Sequence, residues 1–312
     1  MASLLPIHFA PMQGYTDAPY RNAHAAIFGG IAVYYTPFIR LERGTFRTRD
    51  VRNAAPAANS GLRLIPQLIA RSADEARTII DMLAQQGHSE VDINMGCPYP
   101  MITKRGRGAA MLASPQQVAD VLSVVREHPR IGFSLKMRLG MQSDDECMAL
   151  LPVINSTPLR HVTMHPRVAG QLYGGDCNLD AFARFAEGSQ HPVIYNGDIA
   201  TIADIQRIAA QFPQLAGVMI GRGLLSNPAL ALEYAAGEAL ATDDLLRRVR
   251  LMHQQLLDHY SATLNGDAQV LAKMRPFWEH LLPDGSRKSK KRIARTTSLS
   301  AYKVAVAEML RG

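Results

Sequence analysis

Eight short apolar runs recur between Ile7 and Gly221, and stretches with helix signals separate most of them. The runs are Ile7–Ala10, Ile31–Thr36, Arg63–Leu68, Val91–Asn94, Gly132–Arg138, His161–His165, Val193–Asn196 and Val218–Gly221. They are compact and often rich in Val and Ile, as expected of strands buried on both faces. Between them, Ser72–Gln86 opens on an N-cap serine with an acidic first turn and stops at Gly87. Ser114-Pro115 starts another helix with proline at its first position, and Asp144–Ile154, Leu179–Glu187 and Thr201–Gln211 follow the same logic. Asp17 followed by Pro19 suits a short helix start, and Asn53–Gly61, rich in Ala, Pro and Asn, reads as a loop. Strand–helix alternation eight times over predicts an α/β fold, a (β/α)8 TIM barrel. A doubly wound open sheet would usually carry a Gly-rich dinucleotide turn after its first strand; Pro11-Met12-Gln13-Gly14 is not one.

From about Leu240 the strand pattern stops, and Thr242–Tyr260, Ala268–Leu282 and Ser298–Leu310 read as helices. The expected division is a barrel over residues 1–237 and a small all-α C-terminal domain over 238–312. Charge divides along the same line. The chain carries a net +7; residues 238–312 hold 13 Lys and Arg against 8 Asp and Glu, and the remainder holds 21 against 19. A basic tail on a near-neutral body fits a polyanionic partner such as nucleic acid and equally fits a solvated face. No apolar run approaches the roughly 20 residues of a spanning helix, and Met1-Ala2-Ser3-Leu4-Leu5-Pro6 does not read as a secretory leader. Three scattered cysteines, Cys97, Cys147 and Cys177, make neither a disulfide framework nor a metal site. A monomer in a reducing cytoplasm, without metal and without a membrane, is the expectation.

Active sites of such barrels lie at the C-terminal strand ends. Those ends read Ala10-Pro11-Met12-Gln13-Gly14, Pro66-Gln67-Leu68, Asp92-Ile93-Asn94-Met95-Gly96-Cys97-Pro98, Lys136-Met137-Arg138-Leu139-Gly140, His165-Pro166-Arg167, Asn196-Gly197-Asp198 and Gly221-Arg222-Gly223. Polar groups at so many strand ends converge on one mouth. If the ligand is a flavin, Lys136 suits the edge that gains negative charge on reduction, Gln67 and Asn196 suit ring or ribityl hydrogen bonds, and Gly197 and Gly221-Arg222-Gly223 suit a phosphate. Cys97 lies on this rim, where Lys136 or His165 could tune it; Cys147 and Cys177 read as inert thiols. Lys104-Arg105-Gly106-Arg107-Gly108 makes a basic Gly-rich loop suited to a phosphate backbone, and Arg40, Arg43, Arg47 and Arg49 cluster after the second strand. The tail mixes Lys273, Arg275, Trp278 and His280, then runs from Arg287 to Arg292 and on to Arg295 without an acid.

Together these elements resemble the tRNA-dihydrouridine synthases, in the family's order over about residues 7–225. Asn94-Met95-Gly96-Cys97-Pro98 is the most specific, joined by His165-Pro166-Arg167 with Gln171 and Tyr173. The tail is similar to the family's helical tRNA-binding domain in size and charge. The resemblance implies FMN as prosthetic group and NADPH as reductant. It implies that Pro11, Met12, Gln13, Gln67, Lys136, His165, Asn196, Gly197, Asp198, Gly221 and Arg222 hold FMN. It implies that Asn94, Arg138 and Tyr173 meet the uridine, and that Cys97 is the acid that protonates C5 while hydride reaches C6. With the basic groups Lys104, Arg107, Lys273, Arg275 and Arg295 on the tRNA, the expected activity is reduction of uridines in tRNA to dihydrouridine. Two rivals share much of this pattern: an FMN barrel dehydrogenase acting on a free pyrimidine, and a tRNA-binding protein on an inactive barrel. A phosphate-sugar isomerase is a third.

Overall fold

The structure, a computed structural model, describes residues 4–59, 61–283 and 286–310; Met1, Ala2 and Ser3, read above for a leader, lie outside them. Strands and helices alternate as β1 (Ile7–Phe9), α1 (Ala18–Ile27), β2 (Val33–Tyr35), a small hairpin of β3 (Leu41–Glu42) and β4 (Thr45–Phe46), α2 (Thr48–Ala54), β5 (Leu64–Ile65), β6 (Gln67–Leu68), α3 (Ala73–Gln85), β7 (Glu90–Met95), α4 (Pro100–Thr103) and α5 (Pro115–Ser123). They continue as β8 (Gly132–Gly140), α6 (Glu146–Ser156), β9 (Leu159–Val168), α7 (Leu179–Gly188), β10 (Val193–Tyr195), α8 (Ile202–Gln211), β11 (Gly217–Ile220), α9 (Arg222–Ser226) and α10 (Leu230–Ala236). Helices α11 (Thr242–Thr263), α12 (Asp267–His280), α13 (Arg287–Arg295) and α14 (Leu299–Met309) follow.

Apart from the β3–β4 hairpin, every strand among the described residues is parallel, in the order β5-β2-β1-β11-β10-β9-β8-β7-β6. The two ends of that order, β5 and β6, are consecutive in the chain and parted only by Pro66. Proline has no N–H for the ladder, so the third barrel strand breaks there. Its first half pairs with β2 and its second with β7, while the Pro66 carbonyl accepts from Asp92 N at 2.9 Å. The ring therefore closes as eight strands, the (β/α)8 barrel expected from the alternation.

Caps explain where the helices start. Ser72, Ser114, Thr201 and Asn178 accept from the backbone N–H groups of Glu75, Gln117, Asp204 and Ala181 at 2.9–3.3 Å. Asp17 likewise caps α1, which runs a full ten residues. The stretch read as a loop after Asn53 instead completes α2 and a 3-10 turn at Pro56–Ala58. Helix α10 stops at Gly237, whose φ of 81° is costly for any residue with a side chain. The buried faces of the C-terminal helices join the same continuous core as the barrel, and among these helices the His253 imidazole and the Trp278 indole both hydrogen-bond the buried Tyr302 hydroxyl at 2.8 Å. They are bolted to α1: Tyr260 Oη and Lys273 Nζ each donate to Asp17 at 2.7 Å, and Arg248 donates to Ile27 O at 2.6 Å.

Candidate active site

Strand β7 brings its polar residues to the mouth through a relay. Buried Ser134 on β8 donates to Asp92 Oδ1 at 2.5 Å, and Gln67 Nε2 donates to Asp92 Oδ2 at 2.7 Å. Asn94 Nδ2 donates to Gln67 Oε1 at 2.8 Å, and Asn94 Oδ1 accepts from the N–H groups of Gly96 (3.0 Å) and Cys97 (2.9 Å). Each amide is oriented by the next, so an ionisable carboxyl at the bottom sets the geometry of the cysteine loop at the top. Burial pushes the Asp92 carboxyl up to about 6, against the hydrogen bonds from Ser134 and Gln67 and the Lys136 charge. Asn94, expected at the uridine, spends its oxygen on this loop; Gln67, expected on the flavin, is fully enclosed in the relay.

Cys97 stands half-buried at the end of the relay, against Phe38, Ile69 and Ile102. Burial pushes its thiol above the usual range, and the charges of Arg138, Lys136 and Arg40 offset that only in part. The sulfur is thus a protonated thiol at neutral pH. Lys136, on the neighbouring strand β8, hydrogen-bonds to nothing among the described residues, and burial with the Arg138 charge lowers its ammonium to about 8. His165 donates from Nδ1 to the Asn196 carbonyl at 2.5 Å, and its buried Nε2 has no partner among the described residues. Burial, with Arg138 and Lys136, holds that ring neutral, so Nε2 is an acceptor turned to nothing in the protein.

Arg138, expected at the uridine, donates to three carbonyls: Gly96 at 3.0 Å, Val168 at 3.1 Å and Leu172 at 2.6 Å. It ties the cysteine loop to the loop after β9. Tyr173 lies between Arg138 (5.3 Å from the ring centroid) and Arg222 (5.0 Å), and 6.2 Å from His165. Asp198, at the end of β10, bridges Arg167 and Arg222, so its carboxylate holds two guanidinium groups. Asn196 Nδ2 is bound to Met219 O at 2.8 Å. The reason given above for Gly197 needs correction: a side chain there would lie 2.6 Å from Cys177 Sγ and 2.9 Å from Tyr195 Oη, so the glycine makes room for protein. Pro11 and Met12 are half-buried and Gln13 exposed beside them on the β1–α1 loop; a side chain at Gly221 would lie 2.9 Å from the Met12 sulfur.

The basic residues divide. Lys104 and Arg295 are exposed. Arg107 is not a phosphate contact: it is buried, with a two-pronged ion pair to Glu75 (2.7 and 3.0 Å) and a bond to Leu41 O. Lys273 is committed to Asp17, and Arg275 to the Thr296 carbonyl that ends α13. Both bonds hold helices in place, although Lys273 remains exposed and Arg275 half-buried. Arg287–Arg295, read only as a charge block, is a helix with Ile293 as its buried residue. Asp92, quoted with its strand end, carries no role in the sequence reading, although a carboxylate between Val91 and Ile93 in a buried strand is a signal. A cleft of about 810 Å3 opens beside the mouth, between α1–α2 and α11–α12, lined by Gln13, Asn22, Arg49, Arg52, His259 and Lys273 among others.

The thiol, the ammonium and the unpartnered imidazole gathered at the C-terminal end of a closed parallel barrel give the layout of a barrel enzyme. Comparison with known proteins narrows the class. A family model described as Dihydrouridine synthase (Dus) matches residues 8–300. The chain is 29% identical over 262 residues to a probable tRNA-dihydrouridine synthase of Rhodobacter capsulatus, covering 83% of this chain and 80% of that one. It is 29% identical over 238 residues to a tRNA-dihydrouridine(16) synthase of Ralstonia nicotianae, covering 72% and 70%. Among solved structures, morphinone reductase in complex with tetrahydroNAD superposes with a TM-score of 0.54 at 11% identity, over 78% of this chain and 92% of that one, a likeness of fold. The chain belongs to the dihydrouridine synthase family.

Proposed function

We propose that this protein reduces particular uridines of tRNA to 5,6-dihydrouridine, with FMN as prosthetic group and NADPH as reductant. The observation that carries the reading is the Cys97 thiol, kept protonated on the rim and held by Asn94. A general acid must hold its proton until it acts, so a raised thiol is fit for the task and a thiolate would not be.

The residues fit a flavin. The orphaned His165 Nε2 calls for a donor from a ligand, and the unpaired Lys136 ammonium for an anionic edge. Pro11, Met12, Gln13, Lys136, His165, Asn196, Gly197, Asp198, Gly221 and Arg222 would hold FMN, with Gln67 in the floor and Asp198 acting through Arg222. Bound there, FMN supplies hydride for C6 of the uracil ring. Cys97 gives its proton to C5. Lys136 stabilises negative charge at the mouth, and Arg138 fixes both loops that flank the thiol. Tyr173, gripped by two guanidinium groups, offers a rigid face to the base. The base must leave its stack to reach the thiol, at a cost of a few kcal/mol that phosphate contacts offset. In the proposed division of labour, residues 1–237 carry the chemistry and the helices of 238–312, with exposed Lys104 and Arg295, carry the RNA.

The test is a visible spectrum of the purified protein, then NADPH oxidation with unmodified tRNA. Flavin bands, tRNA-stimulated oxidation and dihydrouridine in the product are expected. Flavin with turnover on free uracil or orotate alone would transfer the protein to the free-pyrimidine dehydrogenases, and a colourless protein that cannot be loaded with FMN would sink the reading.

A further inference from the structure

Leu172 is a bulky side chain set on the mouth by an unfavourable backbone. Its φ is 50° and its ψ −101°, a conformation that suits glycine and strains leucine. Both of its peptide groups are pinned: Leu172 N donates to Ala169 O at 3.0 Å, and Leu172 O accepts from Arg138 at 2.6 Å. The same guanidinium holds the Gly96 carbonyl next to Cys97, so the strained residue and the thiol loop share one support. The side chain nevertheless remains exposed. The strain gains no core packing and leaves the side chain free to meet something outside the protein.

Its surroundings indicate what. Seven large hydrophobic residues are exposed among the described residues, and four of them stand beside the two loops that Arg138 joins: Tyr99 and Met101 at the start of α4, just after the Cys97 loop, and Leu172 and Tyr173 after β9. Tyr99 and Tyr173 meet at 6.3 Å between ring centroids. The lip is therefore apolar and aromatic, with the exposed cations Lys104 and Arg105 on one side and Arg222 on the other. A flat apolar surface carried on a polyanion is a nucleobase in an opened strand. Aromatic rings stack on such bases, whereas a branched aliphatic knob fills the space that a displaced base leaves.

We propose that Leu172 is a wedge, which enters the RNA stack where the target uridine leaves it and keeps that base from returning. This rests on the reading of RNA as substrate. The backbone at 172 makes an informative variant possible. Leu172→Gly relieves the strain, so its melting temperature is expected to equal or exceed that of the parent, and a loss of activity cannot be laid to misfolding. Its kcat/KM on an unmodified, folded tRNA transcript should fall by about tenfold or more, the scale of unstacking one base. On a short unstructured oligonucleotide spanning the same uridine most of that loss should disappear, and Leu172→Met should restore activity on the folded tRNA. Equal loss on both RNAs, or loss on neither, would overturn the wedge alone. If the parent protein forms no dihydrouridine in either RNA, the functional reading fails and the wedge with it.

Discussion

The two ends of the barrel use similar residues to opposite effect. At the N-terminal end, the hydroxyl of Tyr35 sits between the imidazoles of His8 (3.0 Å) and His161 (3.1 Å), and none of these atoms is buried without a partner among the described residues. At the C-terminal end, His165 is equally buried and equally neutral, yet Nε2 is stranded, and Lys136 beside it carries an unpaired charge. A closed polar set at one end stabilises the fold; an open one at the other is kept for a ligand. Buried polarity alone therefore does not mark an active site. Nor does a single orphaned atom, since Gln86 Oε1 and Arg275 Nε are also buried without partners; what distinguishes the mouth is that the stranded His165 Nε2 and the Lys136 ammonium stand side by side there.

The sharpest way to break this contrast is at the thiol. Cys97→Ala should keep its flavin colour and lose about 10²–10⁴-fold of turnover on unmodified tRNA. Turnover at the parent rate would remove Cys97 from the chemistry. Next comes Lys136, whose ammonium is lost as pH rises through about 8, pulled down by burial and Arg138 and partly restored by Asp92 and Cys97. Parent activity should fall along that limb, while the Cys97 thiol, raised above its usual range, stays protonated there. Lys136→Met should lower the rate by about 10²-fold and abolish the limb; a limb that survives belongs to another group. The smallest effect on activity belongs to the closed end. Tyr35→Phe should leave turnover intact and cost about 1–3 kcal/mol in urea unfolding. Burial lowers His8 to about 3 and His161 to about 4 from 6.5, so the unfolded chain binds protons that the folded one refuses. Their contribution is fully present above pH 6.5 and is lost as pH falls towards 4, where a pH series of melting temperatures should drop. A flat series would show that the trio is not a stabilising element.

Much of this was legible in advance where the cause is local. Strand runs are recognised by apolar composition, and helix starts by Ser72, Ser114 and Thr201, whose caps reach only three residues ahead. The relation of Asn94 to Cys97 is equally local, and that motif carried the family resemblance. The hairpin β3–β4 was missed because its strands are two residues long, although Arg43 and Gly44 form its turn with φ of 51° and 79°. Arg107 was misread because its partner Glu75 lies 32 residues away on helix α3. From the chain alone an arginine in a Gly-rich loop and one in a buried ion pair look the same.

What the amino-acid order determined by itself is therefore the inventory: eight strands, the polar residues that end them, and the motif around Cys97. Periodicity and capping act over a few residues, so they are written in consecutive letters. Only the tertiary structure decided how the inventory is spent. Closure of the ring through Pro66, the relay from Asp92 to Cys97, and the commitment of Lys273 to Asp17 all join groups brought together by the barrel. Hydrogen bonds and charges act over a few ångströms of space whatever their separation along the chain, so which groups are satisfied and which are left for a ligand is settled only when the strands meet.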